Sequence, residues 1–280
     1  MECYEDKEIV HALIIKVENR VRENGMIKLV GPLGFSDKDP QGFQIEGFEY
    51  PEFIVCPTNY SYLSEMIVNE GYEKHSDLLN YLAKTPYAMP VIYNTILSRV
   101  SKNEEYKIVE FKSKKDIKPY IIPVLELMNQ TFMEIYGFVP MTDQEKKELA
   151  ARYLMIIDPK FIKVAEASDG LVGFAIGMPD ISEGIKKARG RLFPFGILRI
   201  LRVSKRSKKL LMLLGGIRKS YRGKGIDVIM AVKLLQSCIE HKIEWIDLHL
   251  VPEDNTKMRR ECERIGGQII KKFRIYQKDL

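Results

Sequence analysis

The chain lacks a long hydrophobic run, since no apolar stretch approaches the ~20 residues that a membrane-spanning helix needs. Cysteine and histidine are scarce, with four of each, and both are scattered without paired spacing. This pattern argues against a zinc site and for reduced thiols. The first eight residues carry four carboxylates, which is too acidic for a signal peptide. The composition therefore predicts a cytoplasmic globular protein without a metal.

Negative charge is missing from one long segment. Residues 184–226 contain no Asp or Glu but 14 Lys and Arg, whereas the rest of the chain has 30 basic and 38 acidic residues. The whole positive excess therefore lies in this segment, which ends in the turn Tyr221-Arg222-Gly223-Lys224-Gly225. A glycine turn that follows a strand and opens a helix directs backbone N–H groups and the positive helix end at an anion. The turn predicts a polyphosphate site.

The segments around this turn have strong periodicity. The apolar run from Lys208 to Ile217 predicts a buried strand, and the helix after the turn has one apolar face. The next strand, 243–251, alternates Ile246, Leu248 and Leu250 with Trp245, Asp247 and His249. Asn255 is a plausible N-cap for a helix to Arg264, and a final strand covers 268–277.

Upstream elements continue this mixed pattern. The sequence predicts a strand over 106–111, a helix over 121–136 and strands over 161–167 and 171–176 joined by a hairpin. A second helix begins at Thr142, where Glu145 completes a capping-box spacing.

This order of elements resembles that of the GNAT acyltransferases, which use acyl-coenzyme A. Their turn, Arg-x-x-Gly-x-Gly or Ala, maps onto residues 222–227, with Asp227 where a small residue is usual. The resemblance implies an α/β (α+β) GNAT fold with a mixed central sheet flanked by helices. It also implies that the turn amides hold the pyrophosphate and that Ile217 pairs with the pantetheine arm. The cofactor-binding candidates are Ile217, Arg222, Gly223, Lys224, Gly225, Ile226, Asp227 and Asn255.

The catalytic candidates lie after the turn. Many GNAT enzymes place a general-acid Tyr seven residues after an Asn, and counting from Asn255 reaches Cys262 instead. This thiol could donate a proton, or it is a small core residue. Glu253, just past the strand end, is the first candidate for the general base or a water-positioning group. His249 is the second, either oriented by Asp247 or hydrogen-bonded to a neighbour as an ordinary strand histidine.

The N-terminal third resembles an incomplete copy of the same unit. Helices are expected over 8–23 and 59–71, strands over 27–35 and 78–82, and a connection over 85–100. The order and approximate spacing of Asn59, Gly71 and Tyr81 are similar to those of Asn255, Gly266 and Tyr276. We therefore expect a partial GNAT-like domain at 1–85, a linker at 86–105 and a GNAT acyl-CoA-binding domain at 106–280.

Three further stretches extend the resemblance to nearly the whole chain. Gly31-Pro32…Phe35-Ser36, the segment 190–196 and Glu253-Asp254-Asn255 are similar to a group of bacterial tandem GNAT-like proteins. Some members of that group are associated with N-acylation of long-chain bases in bacterial ceramide synthesis. Relative to that group, about one half-domain is expected to be missing at the start.

The segment 190–209 is an insert in which basic residues interrupt a bulky apolar face. It could bind the anionic inner face of a membrane, cover an acyl pocket, or pack against the protein as a surface segment with an exposed basic edge. Nucleic acid is disfavoured, because no stacking aromatics accompany the lysine-rich part.

The leading hypothesis is an acyl-CoA-dependent N-acyltransferase that acts on an amine, with a lipid or long-chain base as one candidate acceptor. The alternatives are a transferase that takes its acyl group from aminoacyl-tRNA and a non-catalytic GNAT-like binding protein.

Overall fold

The structure is a computed structural model that describes residues 3–35, 39–100, 105–135 and 137–280. Ser36 and Tyr136, which fall in segments considered above, lie outside these residues. The described helices and strands are, in chain order, α1 (Lys7–Glu23), β1 (Lys28–Gly31), β2 (Phe43–Glu46), α2 (Tyr62–Asn69), β3 (Glu73–Lys84), α3 (Val91–Val100), β4 (Tyr106–Glu110), α4 (Lys114–Thr131), α5 (Asp143–Leu154), β5 (Ile162–Ala167), β6 (Gly170–Pro179), α6 (Ser182–Ala188), α7 (Gly196–Ser204), β7 (Lys209–Ile217), α8 (Ile226–Glu240), β8 (Trp245–Pro252), α9 (Thr256–Arg264) and β9 (Gln268–Asp279). No helix among the described residues is long and apolar enough to cross a membrane.

The chain forms two compact units. The first comprises Met1–Leu82 and Leu248–Leu280, and the second comprises Ala83–Asp247. Strand β8 crosses the boundary after Asp247, so its first residues belong to the second unit and its last residues to the first. The expected division at 1–85, 86–105 and 106–280 stays a prediction.

The strands of the first unit pair around β9. β1, β2 and β3 are each antiparallel to β9, with Lys28 opposite Asp279, Phe43 opposite Arg274, and Leu78 opposite Phe273. The apolar faces of α1 and α2 pack together with residues of this sheet in one cluster, which contains Val10, Ile14, Phe43, Leu63, Met66, Ile67, Tyr72 and Tyr276. The first unit therefore has its own hydrophobic core.

The second unit is an antiparallel meander, β4-β5-β6-β7, with helices on both faces. On one face, the cross-strand pair Val164 and Phe174 packs against Leu127 and Met128 of α4. On the other face, Ala165 and Val172 pack against Ile226, Ile229 and Met230 of α8. Successive residues of a strand therefore pack against helices on opposite faces of the sheet, because side chains alternate between the two faces. The predicted fold class, a mixed α/β fold with strands flanked by helices, is confirmed.

Helix α4 corrects the expectation of a helix over 121–136. It begins at Lys114, where the Asp116 carboxylate accepts the Ser113 N–H at 2.9 Å, and it ends at Thr131. The sequence pattern missed the first turns of this helix because Pro119 and Pro123 lie inside it, and proline cannot donate a helix hydrogen bond.

The expected connection over 85–100 was wrong in its second half, where α3 forms. Pro90 precedes this helix, and its carbonyl accepts the Tyr93 N–H at 2.9 Å. A proline at a helix start costs no hydrogen bond, because the first N–H groups have no partner within the helix.

Strand β8 forms as expected, but the alternation of apolar and polar residues in its sequence does not correspond to alternating burial. Ile246, Asp247 and Leu248 are all buried, and Leu250 has a φ of 53°, outside the extended region. Consecutive buried residues are typical of a strand covered on both faces, so the two-residue period does not separate a buried side from an exposed one here.

The internal repeat is matched at its glycines but not at its asparagines. Gly71 and Gly266 follow α2 and α9 with φ of 83° and 82°, a left-handed conformation that ends both helices. Asn255 caps α9, whereas the Asn59 side chain accepts the Gln44 N–H and does not cap α2.

Candidate functional site

The glycine turn has the backbone that an anion site needs. Gly223 and Gly225 have φ of 79° and 84°, and Gly225 is the N-cap of α8. No capping side chain accepts a hydrogen bond from the first N–H groups of this helix. The turn and the helix terminus together present backbone donors and the positive end of the helix dipole.

Contacts within the second unit hold this turn in place. The Tyr106 hydroxyl donates to the Lys224 carbonyl at 3.0 Å, and the Arg222 Nε donates to the Ile217 carbonyl at 3.2 Å. Ile226 is fully buried against β5 and β6, where Gly173 allows close approach: a Cβ there would lie 3.1 Å from the Ile226 Cγ2. The start of α8 is therefore anchored on the sheet.

The cations of the turn are paired with carboxylates from distant segments. Lys219 and Arg222 both donate to Glu134, at 2.9 and 3.1 Å, and Lys224 donates to Glu105 at 2.8 Å. Hydrogen bonds from Lys219 and Arg222 lower the pKa of Glu134. A bound anion would have to replace these carboxylates, because it would compete for the same donors.

Beside them, Asp169 of the β5–β6 hairpin accepts from Arg218 at 2.7 Å and from the Tyr221 hydroxyl at 3.0 Å. None of these carboxylates was a candidate from the sequence, because they are far from the turn along the chain.

Asp227, the departure from the family pattern, is exposed in the first turn of α8. A carboxylate at this position interacts favourably with the helix dipole. Burial and the neighbouring Asp227 charge raise the pKa of Tyr106, the residue that holds the Lys224 carbonyl. Asp227 therefore affects the electrostatics of the turn without acting as its cap.

The strand before the turn has two glycines, Gly215 and Gly216, directly before its last residue. Gly215 is exposed, while a Cβ on Gly216 would lie 2.7 Å from the Thr131 Oγ1 and 2.9 Å from Phe174. The absence of side chains leaves the backbone of β7 accessible at Gly215, two residues before Ile217. This geometry suits a ligand that pairs with the strand backbone.

Glu253 lies at the end of β8 in the first unit. Its Oε2 accepts from Lys74 Nζ at 2.6 Å and its Oε1 accepts from the Asp77 N–H at 3.0 Å. The hydrogen bond that Lys74 donates to Glu253 raises the pKa of Lys74. Both carboxylate oxygens are therefore engaged, and a role as general base would require Glu253 to release Lys74.

Asp77 and Arg274 form a pair that sequence reasoning did not find. Arg274 donates two hydrogen bonds to the buried Asp77 carboxylate, at 2.7 and 2.9 Å. Burial opposes ionisation of Asp77, but the hydrogen bonds from Arg274 and Lys74 outweigh it and lower the pKa. Only the pairing of β3 with β9 brings these residues together.

Cys262 is fully buried, and burial raises the pKa of its thiol to about 12. The backbone of Gly267 passes directly over its carbonyl: a Cβ on Gly267 would lie 2.6 Å from that oxygen. A thiol with so high a pKa is a weak proton donor at neutral pH, which favours the interpretation of Cys262 as a core residue.

The remaining candidates are also placed by the structure. The Asn255 side chain accepts the Met258 N–H at 3.1 Å as the N-cap of α9, and its predicted cofactor role stays a prediction. Asp247 is fully buried at the end of the second unit, and His249 is half-buried in the first. The predicted orientation of His249 by Asp247 stays a prediction.

No protein-family model matches the chain. The chain is 25% identical over 287 residues to protein YghO of Escherichia coli strain K12, covering 100% of this chain and 73% of that protein. It is 25% identical over 285 residues to a protein of Caulobacter vibrioides named bacterial ceramide synthase, covering 99% of this chain and 73% of the relative.

Among solved structures, a tandem GNAT protein from the clavulanic acid biosynthesis pathway covers 96% of this chain and 69% of its own, with 10% identity and a TM-score of 0.48. At that score the likeness carries no argument about function. The resemblance drawn from the sequence, to GNAT proteins and to the bacterial group linked to ceramide N-acylation, is confirmed as a resemblance.

Proposed function

We propose that this protein is an acyl-CoA-dependent N-acyltransferase whose acceptor is a lipid amine such as a long-chain base. The observation that carries the proposal is the Gly223–Gly225 turn, with two left-handed glycines, a helix N-terminus without a side-chain cap and exposed cations beside it. The name of the Caulobacter vibrioides relative, bacterial ceramide synthase, supports a long-chain amine as the acceptor.

In this proposal the turn holds the donor through its phosphates. The backbone N–H groups of residues 223–226 bind the pyrophosphate, and the guanidinium of Arg222 and the ammonium groups of Lys219 and Lys224 bind phosphate oxygens. Coenzyme A displaces Glu134 and Glu105 from these cations when it binds. The backbone of β7 near Gly215 and Ile217 pairs with the pantetheine amides.

The proposed reaction is direct attack of the amine on the thioester. The amine nitrogen forms a bond to the thioester carbonyl carbon, and the carbon–sulfur bond breaks. The amine proton passes to a general base, for which Glu253 and, second, His249 stay the candidates predicted from the sequence. Coenzyme A leaves as a thiolate, which takes a proton from solvent. We assign no acid role to the buried Cys262.

The test is a calorimetric titration of the protein with acetyl-, octanoyl- and palmitoyl-CoA, followed by a thiol-release assay with a long-chain base as the acceptor. We expect binding of at least one thioester and release of thiol only when the amine is present. Absence of binding to all three thioesters would refute the cofactor assignment. Binding without turnover on any amine would favour a non-catalytic binding protein.

A matched pair of variants tests the role assigned to the turn cations. Glu134→Gln removes the competing carboxylate, so we expect tighter acyl-CoA binding and a steeper loss of affinity with salt. Glu148→Gln removes one carboxylate from the exposed surface of α5, where it accepts from the Gln144 amide at 2.7 Å, and should leave affinity unchanged. Equal effects of both variants would mean that only net charge matters.

A further inference from the structure

An apolar loop protrudes between α6 and α7 in the second unit. It consists of Leu192, Phe193 and Phe195, together with Leu198 of α7, and their exposed fractions are 49%, 83%, 64% and 60%. Soluble proteins often expose single large apolar residues, but four exposed ones within seven residues indicate an interaction surface. We name these four residues the apolar loop.

The apolar loop is built by specific packing. A Cβ on Gly184 would lie 2.9 Å from the Ile200 Cα, so the absence of a side chain lets α6 and α7 pack closely. The Arg191 N–H donates to the Ala188 carbonyl at 3.0 Å, and the Ile197 N–H donates to the Leu192 carbonyl at 3.0 Å. Two turns of backbone therefore brace the base of the loop and hold its side chains outward.

Exposed cations flank the apolar loop in the sequence. Arg189, Arg191, Arg202, Lys205 and Arg206 are exposed, and no Asp or Glu occurs from residue 184 to residue 226. Among the described residues, no carboxylate lies within ion-pair distance of these five. The cations of the glycine turn differ in this respect, since Lys219, Arg222 and Lys224 are each paired.

We propose that the apolar loop and its cations dock on an anionic lipid bilayer. Phenyl and aliphatic side chains that protrude from a cationic surface match the two layers of a membrane interface, since the apolar groups enter the acyl boundary while the cations contact the head groups. A polyphosphate surface such as RNA would be matched by the cations but not by Leu192 and Leu198. The proposal does not rest on the proposed function, because docking needs neither donor nor acceptor.

The experiment is sedimentation of the wild-type protein with vesicles of phosphatidylglycerol and phosphatidylcholine in equal parts, and with phosphatidylcholine alone. We expect binding to the anionic vesicles only, weakened by salt. No sedimentation with either vesicle overturns the proposal, and so does equal recovery from both. Capture by RNA without capture by anionic vesicles overturns it as well.

Two variants separate the charge from the apolar contribution. In the first, Arg191, Arg202, Lys205 and Arg206 become Gln; Arg199 is left, because its guanidinium donates to the Lys187 carbonyl and helps join the two helices. At ~1 kcal/mol per basic residue near an anionic surface and ~1.4 kcal/mol per tenfold, this variant should lower the partition coefficient roughly a thousandfold. In the second, Phe193→Ser with Phe195→Ser should lower it tenfold or more.

A control variant carries the same change in net charge elsewhere on the second unit. Lys112, Lys115, Lys118 and Lys147 are exposed on or beside α4 and α5, and their replacement by Gln should leave vesicle binding unchanged. An equal loss in this control means that binding is nonspecific and overturns the proposal.

Insertion itself is read from a tryptophan placed in the loop. Trp245 is the chain's only tryptophan, so the emission of Phe193→Trp can be corrected with the wild-type signal. We expect a blue shift on anionic vesicles and quenching by brominated acyl chains. Sedimentation without either change would mean that the loop does not enter the bilayer, and would overturn its assigned role.

Discussion

The backbone at Gly225 provides the sharpest test of the glycine turn. Its φ is 84°, a left-handed conformation that costs a residue with a Cβ about 1–2 kcal/mol. Gly225→Ala should therefore lower the melting temperature by roughly 2–8 °C, since a domain of this size loses about 2–4 °C per kcal/mol. A β-branched side chain is worse in this region, so Gly225→Val should have the larger effect.

Ligand binding should respond more strongly than stability. If the turn relieves its strain by leaving the left-handed region, the peptide groups on either side of Gly225 rotate and the N–H donors no longer converge. We expect acyl-CoA affinity to fall at least tenfold in Gly225→Ala, which corresponds to ~1.4 kcal/mol, and to be abolished in Gly225→Val. Gly223→Ala, at a φ of 79° with open space around its Cβ, should behave like Gly225→Ala.

A matched control separates strain from binding. Gly25 has a φ of 71° and no atom within 4 Å of the position that a Cβ would take, but it follows α1 in the first unit. Gly25→Ala should show a similar thermal shift with unchanged titration of acyl-CoA. A Gly225→Val protein that folds and binds acyl-CoA as tightly as wild type would contradict the reasoning, and the turn would then be only a connection between strand and helix.

Two further predictions concern buried groups of the first unit. Cys262→Ala should cost ~1 kcal/mol of unfolding free energy and leave turnover within twofold of wild type; a folded variant that loses turnover more than tenfold would identify the thiol as the acid. Because the pKa of Asp77 is lower in the folded than in the unfolded chain, its pairing with Arg274 stabilises fully above about pH 4 and is lost as pH falls further. Urea unfolding between pH 3 and pH 7 should therefore show a smaller pH dependence for Asp77→Asn than for wild type, and identical profiles would contradict the assignment.

Local chemistry made several elements predictable from the sequence. The Thr142–Glu145 capping box forms as expected, with the Thr142 N–H donating to Glu145 at 2.7 Å. Asn255 caps α9, and the two glycines of the glycine turn, Gly223 and Gly225, adopt positive φ. Each of these features depends on residues within one turn of chain, so the necessary information lies in a short window.

Contacts between distant segments were not predictable in this way. Glu134, Glu105 and Asp169 neutralise a turn whose own segment contains no carboxylate, and nothing in their local sequence signals this. The missed helix α3 and the early start of α4 show a related limit, since prolines at or inside a helix obscure its bounds in the sequence.

The sequence by itself determined the glycine turn, the amphipathic helix that follows it and the cationic insert, because periodicity and glycine conformation act over a few residues. Tertiary structure alone decided which charges of distant segments are paired. Strand pairing brought Arg274 to Asp77, and packing of the first unit buried Cys262, while the fold left the cations that flank the apolar loop exposed. The physical reason is that burial and ion pairing depend on which segments meet in space, and this depends on the whole chain.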